Sequence, residues 1–145
     1  MKKDKMTTTL FVLSIAGLLF SGYLSGVKFF TTTCAFKEAC PLFLGYPACY
    51  FGFAMFLLIT VFSSLLLFSK IESNSLLKGI SIVSFSGVLF AGYFTFREIP
   101  ILFKEGLGTY MLGLPTCALG LIFYIIIFVL TLIKLLPVVW RKKVI

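Results

Sequence analysis

Apolar runs broken by charge divide the chain into four blocks. Charge-free stretches extend from Met6 to Val27, Ala39 to Ser69, Gly79 to Phe96 and Gly106 to Ile133. A helix needs roughly 20 apolar residues to cross a bilayer, so the pattern predicts four transmembrane helices. The first run follows Lys2, Lys3, Asp4 and Lys5 and begins as a secretory signal would. No convincing small-x-small cleavage site follows it, and it is expected to be a retained helix. The second and fourth runs are longer than a bilayer requires, and each carries Gly/Pro punctuation near its start. Their helices are expected to begin near Pro47 and Pro115, because proline is tolerated at the first helical position, where its missing N–H has no partner to lose. The expected fold is all-α, an integral membrane four-helix bundle forming a single membrane domain over residues 1–145.

Composition removes the water-soluble alternatives. Hydrophobic residues make up 60% of the 145 and charged residues 12%, with 18 Phe, no His and a mean hydropathy of +1.11. Soluble domains are nearer half apolar and a quarter charged. The net charge of +8 would suggest nucleic acid on a soluble domain. Here the basic residues sit at the ends of apolar runs, where they act as topology signals, and no nucleic-acid partner is expected. The lipid bilayer is the partner that composition does demand.

Four spans put both termini on one side of the membrane, together with the connection from Lys70 to Lys78. That side holds Lys2, Lys3, Lys5, Lys70, Lys78, Lys134, Arg141, Lys142 and Lys143; the other holds Lys28, Lys37, Arg97 and Lys104. The positive-inside rule then assigns the termini to the cytoplasm. Cys34, Cys40, Cys49 and Cys117 consequently fall on or near the extracytoplasmic face, the compartment in which disulfides form and persist.

The chain also repeats itself. LGYPACYFG (44–52) returns as LGLPTCALG (112–120), LFSGY (19–23) as LFAGY (89–93), and FKE (36–38) as FKE (103–105), at offsets of 68, 70 and 67. The shared order and near-constant spacing predict two parallel two-helix repeats, about 7–69 and 77–136, related by an axis along the membrane normal. Cys49 and Cys117 are then expected at one depth on opposite sides of that axis. Gly17, Ser21, Gly22 and Gly26, with Gly87 and Ala91, supply small residues that let helices approach closely in lipid. Tyr23 and Tyr93 are equivalent positions near the outer ends of spans one and three. They are candidates for lining a ligand cavity, although packing accounts for most aromatic residues in such helices.

Absence of His excludes a His-based catalytic base and a His/Cys zinc site, and five acidic residues leave little for hydrolytic chemistry. The cysteines are the obvious reactive groups. Cys49 and Cys117 each follow a helix-opening proline by two residues. In a first helical turn the dipole and free N–H groups favour a thiolate, against the opposing cost of burial. Cys34 and Cys40 belong to one repeat only, with five residues between them in TTTCAFKEACP, Lys37 among these favouring the thiolate and Glu38 offsetting it. An exposed loop pair and a deeper pair at helix starts would suit a relay by thiol–disulfide exchange. Two structural staples are the alternative, and the spacing lacks the close pairs typical of a zinc knuckle, so no metal site is expected.

Cys34 and Cys40 in the first loop, LGYPACYFGFAMF after it, and Cys117 at the start of the last span together resemble the vitamin K epoxide reductase family. More distantly they resemble the DsbB type of disulfide-generating quinone reductase. The resemblance covers roughly residues 10–135. It implies a helical bundle in which Cys34 and Cys40 form a shuttle pair, Cys117 belongs to an inner redox pair, and a quinone accepts the electrons. The family's inner pair is a CxxC on the last helix, whereas this chain reads Cys117-Ala118-Leu119-Gly120. Cys49, the repeat partner of Cys117, is expected to take the missing place.

The leading expectation is a membrane thiol–disulfide oxidoreductase. It would make disulfides for extracytoplasmic proteins through a thioredoxin-like or client thiol protein and pass electrons to a membrane quinone. Arg97 is a candidate for polarising a quinone oxygen, beside the alternative of an interface anchor. The rival from another class is a noncatalytic membrane scaffold or complex subunit with structural disulfides. A solute carrier is disfavoured because no ionisable residue lies in the middle of any span.

Overall fold

In the computed structural model, residues 5–31, 42–69, 73–105 and 116–144 are described. They form four helices, α1 (Lys5–Thr31), α2 (Ala48–Phe68), α3 (Ser73–Glu105) and α4 (Thr116–Val144), and a short antiparallel hairpin of β1 (Leu42–Phe43) and β2 (Tyr46–Pro47). All four helices are long and apolar enough to cross a membrane, over Lys5–Val27, Tyr50–Phe68, Asn74–Pro100 and Ala118–Pro137. Their outward faces carry large apolar side chains, among them Leu19, Phe30, Ile82, Leu89 and Phe96. Helices apolar on every side suit an apolar surrounding, and the arrangement is consistent with a multi-pass membrane protein.

α2 and α4 begin directly after Pro47 and Pro115, where the sequence predicted them to start. α3 departs from expectation at its far end. It continues past Phe96 through Arg97, Pro100 and Lys104 to Glu105. Charge ends an apolar run but not a helix, and Pro100 removes one backbone donor without forcing termination, as also holds for Pro137 in α4. The hairpin before α2 turns at Leu44 and Gly45, with φ of 53° and 85°. Two successive positive φ values define the tight turn that suits a two-residue hairpin. Gly45 adopts this conformation freely, whereas Leu44 bears the steric cost.

Contacts between neighbouring helices show how they run. Gly17 meets Phe56 and Gly22 meets Phe53 between α1 and α2; Gly79 meets Phe62 and Phe90 meets Phe51 between α3 and α2. Gly87 meets Tyr124 and Gly92 lies near Leu121 between α3 and α4. In every pair the numbers rise on one helix as they fall on the other, so successive helices are antiparallel. α1 also packs on α4, in the least extensive of the four side contacts, and there Lys134 Nζ donates a hydrogen bond to Thr7 Oγ1.

At the centre, Phe56 from α2 and Tyr124 from α4 stack with centroids 4.4 Å apart and planes 14° from parallel. Each ring lies on a glycine. A Cβ on Gly17 would come within 2.2 Å of the Phe56 ring, and a Cβ on Gly87 within 2.5 Å of the Tyr124 ring. Successive interior levels follow: Ser14 and Ser84 with Ile59 and Ile127, then Leu10 and Ile80 with Ser63 and Thr131, all fully buried. Ser14, Ser84 and Thr131 donate to carbonyls of the preceding turn, so their hydroxyls enter an apolar interior satisfied. Ser63 Oγ is buried without a hydrogen-bond partner.

The two central glycines should therefore be intolerant of a methyl group. Gly17→Ala and Gly87→Ala are each expected to destabilise the bundle by about 1–3 kcal/mol through overpacking. Gly26, where a Cβ would meet nothing within 4 Å, should accept alanine with a change within about 0.5 kcal/mol. Reversible unfolding in mixed micelles measures all three.

Candidate functional site

Cys49 and Cys117 each occupy the second residue of their helix, α2 and α4 respectively. The hairpin runs without a break into α2, since β2 ends at Pro47 and the helix starts at Ala48. From Cys49 the residues 52, 56, 59 and 63 recur at alternating steps of three and four, the spacing of one helix face. Three of these, Phe56, Ile59 and Ser63, are buried. From Cys117 the corresponding residues are 120, 124, 127 and 131, and Tyr124, Ile127 and Thr131 are buried. Both cysteines thus stand in register with the interior stripe of their helix, two turns from the stacked rings. Cys34 and Cys40 lie outside the described residues.

Between the cysteine level and the rings, each helix contributes a small residue: Ser21 on α1, Gly52 on α2, Ala91 on α3 and Gly120 on α4. Ser21 and Ala91 are buried. A Cβ on Gly120 would meet no atom within 4 Å, and one on Gly52 would meet the Tyr124 hydroxyl at 3.9 Å. That hydroxyl donates a hydrogen bond of 3.1 Å to the Gly52 carbonyl. It links the first turns of α2 to the body of α4. Phe56, the corresponding ring on the other helix, has no hydroxyl with which to reciprocate.

The remaining candidates sit elsewhere. Tyr23 and Tyr93 are 58% and 55% exposed, on the outward faces of α1 and α3. Arg97 lies one turn beyond Tyr93, its guanidinium 5.7 Å from the ring centroid and its Nη1 donating to Tyr93 Oη at 3.2 Å. The structure thus joins Arg97 to Tyr93 on the outer surface of α3, away from the central ring pair. The buried polar side chains among the described residues are all hydroxyls, and no group of His, Cys, Asp and Glu capable of holding a metal occurs among them.

Sequence reasoning passed over Tyr124, Phe56 and Gly52. The signal was present, because the offset that relates Cys49 to Cys117 also relates Phe56 to Tyr124 and Gly52 to Gly120. Comparison with known protein families, with characterised proteins and with solved structures gives no match to this chain. What the site can do follows from its own residues.

Arg97 and Tyr93 form an exposed pair, and such pairs contribute little to stability. Arg97→Gln is expected to shift the unfolding free energy by no more than about 0.5 kcal/mol, measured by the same micellar unfolding.

Proposed function

We propose that the chain is a membrane thiol–disulfide oxidoreductase that generates disulfides for extracytoplasmic proteins and passes the electrons to a membrane quinone. In this reading the termini are cytoplasmic, the cysteines extracytoplasmic, and α1–α2 and α3–α4 are parallel repeats. The observation that carries it is the shared register of Cys49 and Cys117, each two turns from one member of the stacked Phe56–Tyr124 pair. Helices whose rings meet across the bundle centre bring equivalent residues toward a common axis. The correspondence of Gly17 with Gly87, Ser14 with Ser84 and Leu10 with Ile80 supports the same symmetry.

A disulfide between the two helices requires Cα atoms within about 7 Å. Gly52 and Gly120 favour that approach, since glycine removes the side-chain bulk that would hold the backbones apart. The cycle begins with a client dithiol, or a thioredoxin-like intermediary, attacking the Cys34–Cys40 disulfide and leaving oxidised. The resulting Cys34 and Cys40 thiols reduce the Cys49–Cys117 disulfide by two exchange steps. A quinone reaching them would accept two electrons and two protons from the Cys49 and Cys117 thiols as their S–S bond re-forms. The quinone supplies the redox chemistry; this chain holds the sulfur atoms in place and excludes water. The exposure of Tyr23, Tyr93 and Arg97 supports a role at the lipid-facing rim, where a quinone diffusing in the bilayer first meets the protein.

The test is thiol counting by mass-tag alkylation of the reduced protein in lipid nanodiscs, with and without a short-chain quinone. Quinone is expected to remove thiols in pairs, and Cys117→Ser to abolish closure of the inner pair. Cys34→Ser should block client oxidation while leaving quinone-dependent closure of Cys49 and Cys117. Equal thiol loss with and without quinone would overturn the proposal and leave a scaffold stitched by structural disulfides.

A further inference from the structure

Tyr124 is the one member of the central layer whose polar group crosses from one helix to another near the bundle axis. Its ring is buried against Phe56 and Gly87, and its hydroxyl reaches the Gly52 carbonyl, three residues beyond Cys49. Tyr124 itself stands seven residues beyond Cys117. The bond therefore connects the segment that carries one cysteine to the helix that carries the other, just below the level of both. A buried hydroxyl in an apolar interior is costly to leave unpaired, so separating α2 from α4 here would strand it.

We infer that Tyr124 is a positioning residue that holds the starts of α2 and α4 at the spacing from which Cys49 and Cys117 join. The inference rests on the proposed pairing of these cysteines and adds the group that sets their approach. The packing is close to symmetric, and the hydroxyl is not. On the opposite side Phe56 occupies the equivalent ring position, and the space beside Gly120 is empty to 4 Å from where a Cβ would stand. If the hydroxyl acts only as a tie between α2 and α4, carrying it on Phe56 in place of Tyr124 should serve as well.

The experiment uses the full chain with Cys34→Ser and Cys40→Ser, so that Cys49 and Cys117 are the remaining thiols. Diamide, a small thiol oxidant, takes two electrons and two protons from the pair as the S–S bond forms and becomes the hydrazine. Its use separates the geometry of the thiols from any reaction with quinone. The rate of closure is read by timed alkylation and peptide mapping. Tyr124→Phe, which deletes one oxygen and keeps the ring, is expected to slow closure by about fivefold to tenfold, the rate equivalent of one hydrogen bond. The swap Phe56→Tyr with Tyr124→Phe should restore the rate to within about twofold of the parent. Closure of Tyr124→Phe at the parent rate, or a swap that stays slow, overturns the inference alone. A parent chain that forms no Cys49–Cys117 bond with diamide overturns both the inference and the inner pair of the proposed function. Closure with diamide but not with quinone overturns only the quinone step.

Discussion

Two aromatic rings pressed together between two glycines determine most of what this bundle can be. Inside a membrane there is little hydrophobic gain from burying one helix against another, so helices associate through close fit and a few polar contacts. The Phe56–Tyr124 stack supplies that fit at the centre, and it is possible only because Gly17 and Gly87 leave room behind each ring. The ring pair spans the diagonal between α2 and α4, while the glycines bring in α1 and α3. One layer thus joins all four helices. Levels further along the bundle repeat the arrangement with smaller side chains.

The same layer relates packing to chemistry. Because Cys49 and Cys117 stand in register with the rings, anything that sets the distance between the rings also constrains the helix starts. Small residues at the intervening level, Ser21, Gly52, Ala91 and Gly120, keep that region uncrowded. Hydroxyl groups elsewhere in the interior are mostly turned back onto their own helix. Tyr124 alone spends its hydroxyl on a different helix of the central layer.

Much of the architecture is legible in the sequence. Charge breaks delimited four helices, and the prolines marked where α2 and α4 begin. The glycines singled out for close packing include both that carry the rings. Less legible were features that depend on facing. In a helix apolar on every side, periodicity does not say which side chain turns inward, so Phe56 is indistinguishable from outward-facing neighbours such as Leu57 and Leu58. The extension of α3 through Arg97 and Pro100 was hidden because hydropathy reports the membrane and not the helix. The hairpin was hidden too, since Leu44 is not a residue that announces a left-handed turn. At the site, the depth of Cys49 and Cys117 in their helices was readable from the prolines. The bond beneath them was not, because it depends on a contact between residues 72 apart.

Four helices arranged in a ring have four sides, and these sides are unequal. α1 meets α4 least extensively, with the Lys134–Thr7 hydrogen bond toward one end of the contact. Local opening follows the route that breaks the fewest contacts, which here parts the first helix from the last and leaves each sequential hairpin whole.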